Sequence, residues 1–153
     1  MAYQTVLAGT DGSASSFRAV SAAASLAGAT GATLVLACAY VPMRASERAV
    51  AADRLGDLAY KVSGSTPADD ALRAARAHAV AAGASEVVLA AEEGDAVDVL
   101  ITLAAKHRAD LLVVGNRGLN SLAGRLLGSV PSHVAHRASC DVLIVHTTSG
   151  GRA

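Results

Sequence analysis

Short, unbroken apolar runs alternate along this chain with longer stretches in which apolar residues recur every three or four positions. The first kind of pattern reads as buried strands and the second as amphipathic helices. Strands are predicted at Thr5–Gly9, Thr33–Tyr40, Glu86–Ala90, Asp110–Gly115 and Asp141–His146. Helices are predicted from about Ser15 to Gly28, from Pro67 to about Ala82, from Gly94 to His107 and from Ser129 to Arg137. Phe17, Val20, Ala24 and Ala27 mark the buried face of the first helix, and Val97, Leu100, Ile101 and Ala104 that of the third. Gly28 and Gly31 are read as the end of the first helix, and Gly83 as the stop of the second. Pro67 suits a first helical turn. The 42–66 segment reads as a connection, with a short helix starting near Ser46.

Strands that are apolar throughout must be covered on both faces. Strands alternating with helices give right-handed crossovers and a parallel sheet. The fold class is therefore an α/β three-layer sandwich with a five-stranded parallel sheet. Ligands of such sheets sit beyond the carboxyl ends of the strands, where strand order reverses. The first and fourth strands both run into glycine turns, Gly9-Thr-Asp-Gly12 and Gly115-Asn-Arg-Gly118. If these strands are neighbours, the two turns flank one crevice.

Length and composition narrow the partners. The 153 residues fit one domain, assigned to 1–148 with a flexible tail at 149–153, and the polar stretch from Thr147 onward is expected to fray. Lys and Arg together number 13, as do Asp and Glu, so no basic field exists to gather nucleic acid. Aromatic residues are only 3%, too few for a stacking platform. No apolar run approaches the roughly 20 residues of a membrane span. Together with a start that carries no signal-peptide pattern, this places the chain in the cytoplasm. Cys38 and Cys140 lie in apolar runs and read as reduced, buried thiols rather than a disulfide or metal pair.

The segment Gly115-Asn116-Arg117-Gly118, followed after nine residues by Gly128-Ser129-Val130-Pro131, is the candidate phosphate site. The glycines allow a tight turn and close approach to backbone. Ser129 is expected to cap the following helix, with Pro131 in its first turn. A helix start offers free N–H groups and a positive dipole end to an anion. Arg117 and Arg125 are the cations nearest in sequence. Read from physics alone, the same glycines serve equally as a turn and a helix cap with no ligand.

The spacing G-x-x-G-x9-G-[ST] after the fourth strand resembles the nucleotide-binding signature of universal stress proteins. Thr5–Ser13 and the closing Asp141-Val-Leu-Ile-Val run also look like that family, so the resemblance covers nearly the whole chain. Gly124-Arg-Leu-Leu-Gly-Ser-Val-Pro131 is most similar to the branch that binds cyclic AMP. The resemblance implies the adenine nucleotide alpha hydrolase-like fold with strand order 3-2-1-4-5. It places the family's acidic residue on Asp11, beside Gly9 and Thr10, facing ribose or a phosphate-bound metal. An Asx turn with Gly12 explains Asp11 equally well. It places adenine recognition on the backbone at Ala39, and phosphate on Gly115, Asn116, Arg117, Gly118, Arg125, Gly128, Ser129 and Val130. It also implies a homodimer joined through the Asp141–His146 edge strand.

Pro131 departs from the Ser or Thr of many ATP-binding members and supplies neither hydroxyl nor N–H. One phosphate is easier to satisfy there than three, which favours cyclic AMP or AMP over ATP. The expected role is a binder, buffer or sensor without turnover and without a required cofactor. The alternatives are an ATP-binding member, with Mg2+ and weak hydrolysis, or a dimeric scaffold that holds no nucleotide. His133 and His136 read as a surface helix rather than a zinc site. Ser13 and Ser15 form no nucleophile elbow. The Asp69-Asp70 and Glu92-Glu93 pairs read as caps or solvated turns, and Lys61 as an exposed residue or a lid contact.

Overall fold

The computed structural model describes residues 2–41, 66–116 and 129–147. The short helix near Ser46 and Lys61 fall outside them. Five strands form one parallel sheet in the order β3-β2-β1-β4-β5: β1 Thr5–Gly9, β2 Thr33–Tyr40, β3 Val87–Glu93, β4 Leu111–Gly115 and β5 Asp141–Val145. The described helices are α1 Ala14–Thr30, α2 Thr66–Ala81, α3 Ala96–Lys106 and α4 Ser129–Arg137. The expected fold class and strand order are both observed.

The sheet separates two apolar layers. One face packs Val6, Ala8, Leu34, Leu36 and Val113 against α1 and α2. The other packs Leu7, Val35, Ala37, Leu112 and Val114 against α3 and α4. Alternation along each strand assigns these residues to opposite faces. The α1 contact face is almost wholly alanine: Ala19, Ala23, Ala24 and Ala27 are all completely buried beside Val20. Small side chains let the helix lie close to sheet and neighbour. Phe17 of α1 stacks on His78 of α2 with ring centroids 4.5 Å apart.

Helix ends follow side-chain chemistry. Ser13 caps α1, its hydroxyl accepting from the Ser16 N–H at 3.1 Å. Gly31, at φ +73°, ends that helix in the left-handed conformation. Gly28 does not end it. It lies inside α1 where the backbone meets the loop after α2, and a Cβ there would run into the Gly83 carbonyl oxygen. Its role is close packing, which a sequence pattern does not separate from capping. Asp95 caps α3 by accepting from the Val97 N–H at 3.1 Å, so that helix starts at Ala96 rather than at Gly94.

Two further expectations are corrected. β3 continues past Ala90 to Glu93, because Cys38, Ala39 and Tyr40 of β2 offer ladder partners to Ala91, Glu92 and Glu93. Pairing overrides the poor strand preference of Glu. Thr147 does not fray. It is 3% exposed and fixed at both ends of its backbone, as described below.

Candidate nucleotide site

β1 is the strand at which chain order reverses, with β2 on one side and β4 on the other. Beyond its carboxyl end lies an open cleft of about 580 Å3, solvent mouth included. Gly9, Thr10 and Asp11 come from the turn after β1, Ala37 and Ala39 from β2, and Val114 and Gly115 from β4. Ser16, Ala96, Leu100 and Val130 complete the lining from α1, α3 and α4. The site therefore joins the turn after β1 to the exit of β4 at Gly115, the first residue of the second expected turn.

The first turn is held rigidly. The Thr10 N–H donates to the Ala37 carbonyl at 2.9 Å, carrying the β1–β2 ladder one residue further. Thr10 Oγ1 accepts from the Gly12 N–H at 3.2 Å and lies 2.7 Å from Ser16 Oγ. Ser16 gives its own proton to the Ser13 carbonyl at 2.9 Å, so the Thr10 hydroxyl is the donor in the pair. Asp11 Oδ1 accepts from the Ser13 N–H at 2.8 Å, an Asx turn. Asp11 also lines the cleft, so its structural and its ligand-facing positions coexist.

Two of the cleft's lining residues are glycines with no room for a side chain. A Cβ on Gly9 would sit 2.9 Å from Leu100 Cδ2. A Cβ on Gly115 would sit 3.0 Å from Thr147 Cγ2, so this glycine serves the packing of the chain on itself as well as access to backbone. Three helix N-termini converge here, through Ser16 in the first turn of α1, Ala96 at the start of α3 and Val130 beside Ser129 at the start of α4. Their dipoles favour an anion. Among the described lining residues none is Lys or Arg, and Asp11 alone carries a charge.

Asn116 directly follows Gly115 and is tied by its side chain. Its Oδ1 accepts from the Thr147 N–H at 2.8 Å and from the Thr147 hydroxyl at 3.0 Å, and its backbone N–H donates to the Val145 carbonyl at 2.8 Å. Thr147 Oγ1 in turn accepts from the Ser15 hydroxyl at 2.8 Å, and Arg18 donates to the Thr147 carbonyl at 2.8 Å. The segment after β5 thus locks the exit of β4 to the start of α1. Ser129 is the first residue of α4, and Pro131 is buried in its first turn. Arg117, Gly118, Arg125 and Gly128 lie outside the described residues.

Residues missed by pattern reading are Ser16, Ala37, Ala96, Leu100, Val114 and Thr147. A Ser at the third position of a helix capped by Ser13 is a legible signal for Ser16. Leu100 reads as core, which it also is. Both cysteines are free thiols; Cys38 is buried, as expected, but Cys140 just before β5 is only partly so. Burial pushes the Cys38 thiol up to about 11, with Asp11 and Asp69 adding to the shift. Cys140 is raised too, mainly by burial. His133 and His136 are exposed, and no cluster of three metal-ligating side chains exists among the described residues. No helix among the described residues is long and apolar enough to cross a membrane.

A parallel five-stranded sheet with a backbone-walled cleft at its reversal point, entered by helix N-termini, defines a nucleotide-type binding domain. The family model for universal stress proteins matches residues 2–146, and the chain belongs to that family. It is 54% identical over 147 residues to a universal stress protein of Mycobacterium tuberculosis, covering 96% of this chain and 99% of that one. It is 31% identical over 144 residues to one from Thermus aquaticus, covering 94% and 98%. A universal stress protein solved in complex with cAMP superposes with a TM-score of 0.75 at 46% identity, covering 97% of this chain and 100% of that chain.

Proposed function

We propose that this universal stress protein binds cyclic AMP in the cleft beyond β1 and β4 and works as a buffer or sensor without turnover. The carrying observation is the cleft itself, walled by Gly9, Ala37, Ala39 and Gly115 and reached by helix N-termini. The similar protein solved with cAMP supports the choice of ligand. So does Pro131, buried in the first turn of α4, where it contributes no N–H to a phosphate. Backbone N–H groups at the helix starts suit a single negative charge better than a triphosphate. In this reading Asp11 and Thr10 meet the ribose, Ala39 the base, and Gly115, Asn116, Gly118, Gly128, Ser129 and Val130 the phosphate side, with Arg117 and Arg125 adding charge. The protein acts in the cytoplasm.

Thermal denaturation with cyclic AMP, AMP and ATP, each with and without Mg2+, tests this. A ligand at a hundred times its dissociation constant adds about 2.7 kcal/mol. Cyclic AMP should stabilise most, without Mg2+. Stabilisation by ATP alone, requiring Mg2+ and lost in Asp11→Ala, would replace this reading with the ATP-binding one. Stabilisation by none of the three would leave a scaffold.

The same reading includes a homodimer joined through β5. That strand is a sheet edge, and Leu143 on it is 40% exposed. An unpaired apolar edge calls for cover. Sedimentation should give a dimer for the native chain and a monomer for Leu143→Lys; a native monomer would sink the idea.

A further inference from the structure

Thr10 and Ser16 both line the cleft, and the protons of both hydroxyl groups are committed inside the fold. Ser16 donates to the Ser13 carbonyl at 2.9 Å, and Thr10 donates to Ser16 Oγ at 2.7 Å. A hydroxyl oxygen has two acceptor positions. One on Thr10 takes the Gly12 N–H, and one on Ser16 takes the Thr10 proton. Each oxygen is left with a single lone pair. Thr10 is buried, whereas Ser16 is only partly so, which makes Ser16 Oγ the acceptor within reach of a ligand. It stands in a chain that runs from the Gly12 N–H through Thr10 and Ser16 to the Ser13 carbonyl. Such chains polarise their members and strengthen each as an acceptor.

The N–H groups of the same turn are also taken. Those of Gly12, Ser13 and Ser16 go to Thr10 Oγ1, Asp11 Oδ1 and Ser13 Oγ, and that of Phe17 goes to the Ser13 carbonyl. The Asp11 carboxylate, the third group of this wall, is again an acceptor. A phosphate oxygen placed here would meet acceptors only. A ligand hydroxyl would supply the proton that the wall lacks. β1 lies between β2 and β4, so its turn stands between Ala39 on one side and Gly115 on the other. With the base on Ala39 and the phosphate by Gly115, the sugar occupies that middle position. In a 3′,5′-cyclic nucleotide the 2′-OH is the sugar hydroxyl that remains free.

We propose that Ser16 selects ribose, its Oγ accepting a hydrogen bond from the 2′-OH of the bound cyclic nucleotide. This assignment rests on the nucleotide reading above and deepens it. A 2′-deoxy ligand leaves the Ser16 lone pair without a donor. Loss of one neutral hydrogen bond of this kind weakens binding by about three- to tenfold.

Calorimetric titration with cyclic AMP, its 2′-deoxy analogue and its 2′-fluoro-2′-deoxy analogue tests the assignment. Fluorine fills the position of the hydroxyl but has no proton to give. The native chain should bind cyclic AMP about three- to tenfold more tightly than either analogue. In Ser16→Ala the preference should shrink to near unity, mainly through weaker binding of cyclic AMP. A role for Ser16 in shaping the turn alone would weaken all three ligands equally and leave the ratio unchanged, which overturns the assignment. Native binding of either analogue as tight as that of cyclic AMP overturns it too, with no variant needed, and leaves nucleotide binding intact. Failure of the native protein to bind any of the three overturns the nucleotide reading, and this one with it.

Discussion

Replacing Gly28 by Ala sets two effects of opposite sign against each other inside α1. Helix propensity favours Ala over Gly by about 1 kcal/mol in a helix interior. Against this, the new Cβ would run into the Gly83 carbonyl oxygen, a backbone atom. That carbonyl has little freedom to retreat, because the turn carrying it is pinned by Gly83 N–H to Val80 carbonyl and Ala84 N–H to Ala79 carbonyl bonds, both 3.1 Å. Overpacking at a rigid site costs about 3 kcal/mol at the upper end of its usual range. The net loss is about 2 kcal/mol, which for a domain of this size lowers the melting temperature by about 4–8 °C. Gly31→Ala is the matched control. Nothing lies within 4 Å of its Cβ, but φ is +73°, so the cost there is conformational, about 1 kcal/mol. Urea denaturation followed by circular dichroism reads both variants. If Gly28→Ala is as stable as the native protein or more so, the close approach of α1 to the Gly83 turn is not a packing constraint and the reasoning fails.

Two other perturbations have defined outcomes. Thr147→Val preserves shape but removes the hydroxyl that joins Asn116 to Ser15. It should cost about 1–2 kcal/mol in denaturant melts and weaken nucleotide binding in calorimetry, since Asn116 leads out of the cleft; native affinity in this variant would detach the tie from the site. Cys38 titrates at about 11 in the fold against an ordinary value of 9.0. The folded state therefore prefers the neutral thiol. Stability from this group is fully present below pH 9.0 and falls as pH rises toward about 11, a decline that should be absent in Cys38→Ala.

Much of the fold was legible because strands buried on both faces leave unbroken apolar runs. β1, β2 and α4 begin and end where the runs of side chains predict. The α3 start failed for a local reason, the Asp95 cap, but the other failures share a cause: the deciding contact lies far away in sequence. Gly28 looks like a stop signal until Gly83 arrives beside it. Glu92 and Glu93 look like a turn until β2 offers a ladder. Thr147 looks like a loose tail until Ser15 and Arg18 of α1 and Asn116 at the exit of β4 are brought to it. At the site, the residues with conspicuous chemistry were readable, namely Gly9, Thr10, Asp11 and Gly115. Ala37, Ala96 and Val114 were not, because a residue that contributes only the space it leaves has no signature of its own. Leu100 was hidden differently, being a core residue whose far end forms a wall.

That wall of small residues bears on how a ligand is met. Gly9, Ala37, Ala39, Ala96 and Gly115 have no rotamers to lose, so the part of the surface they form is already in its final shape. Association against that part of the wall immobilises no protein side chain there, and the entropic penalty of ordering long side chains is avoided at those positions. Such a receptor behaves as a mould rather than a hand: it admits or refuses by outline. A single methyl group added to its floor changes which molecules fit.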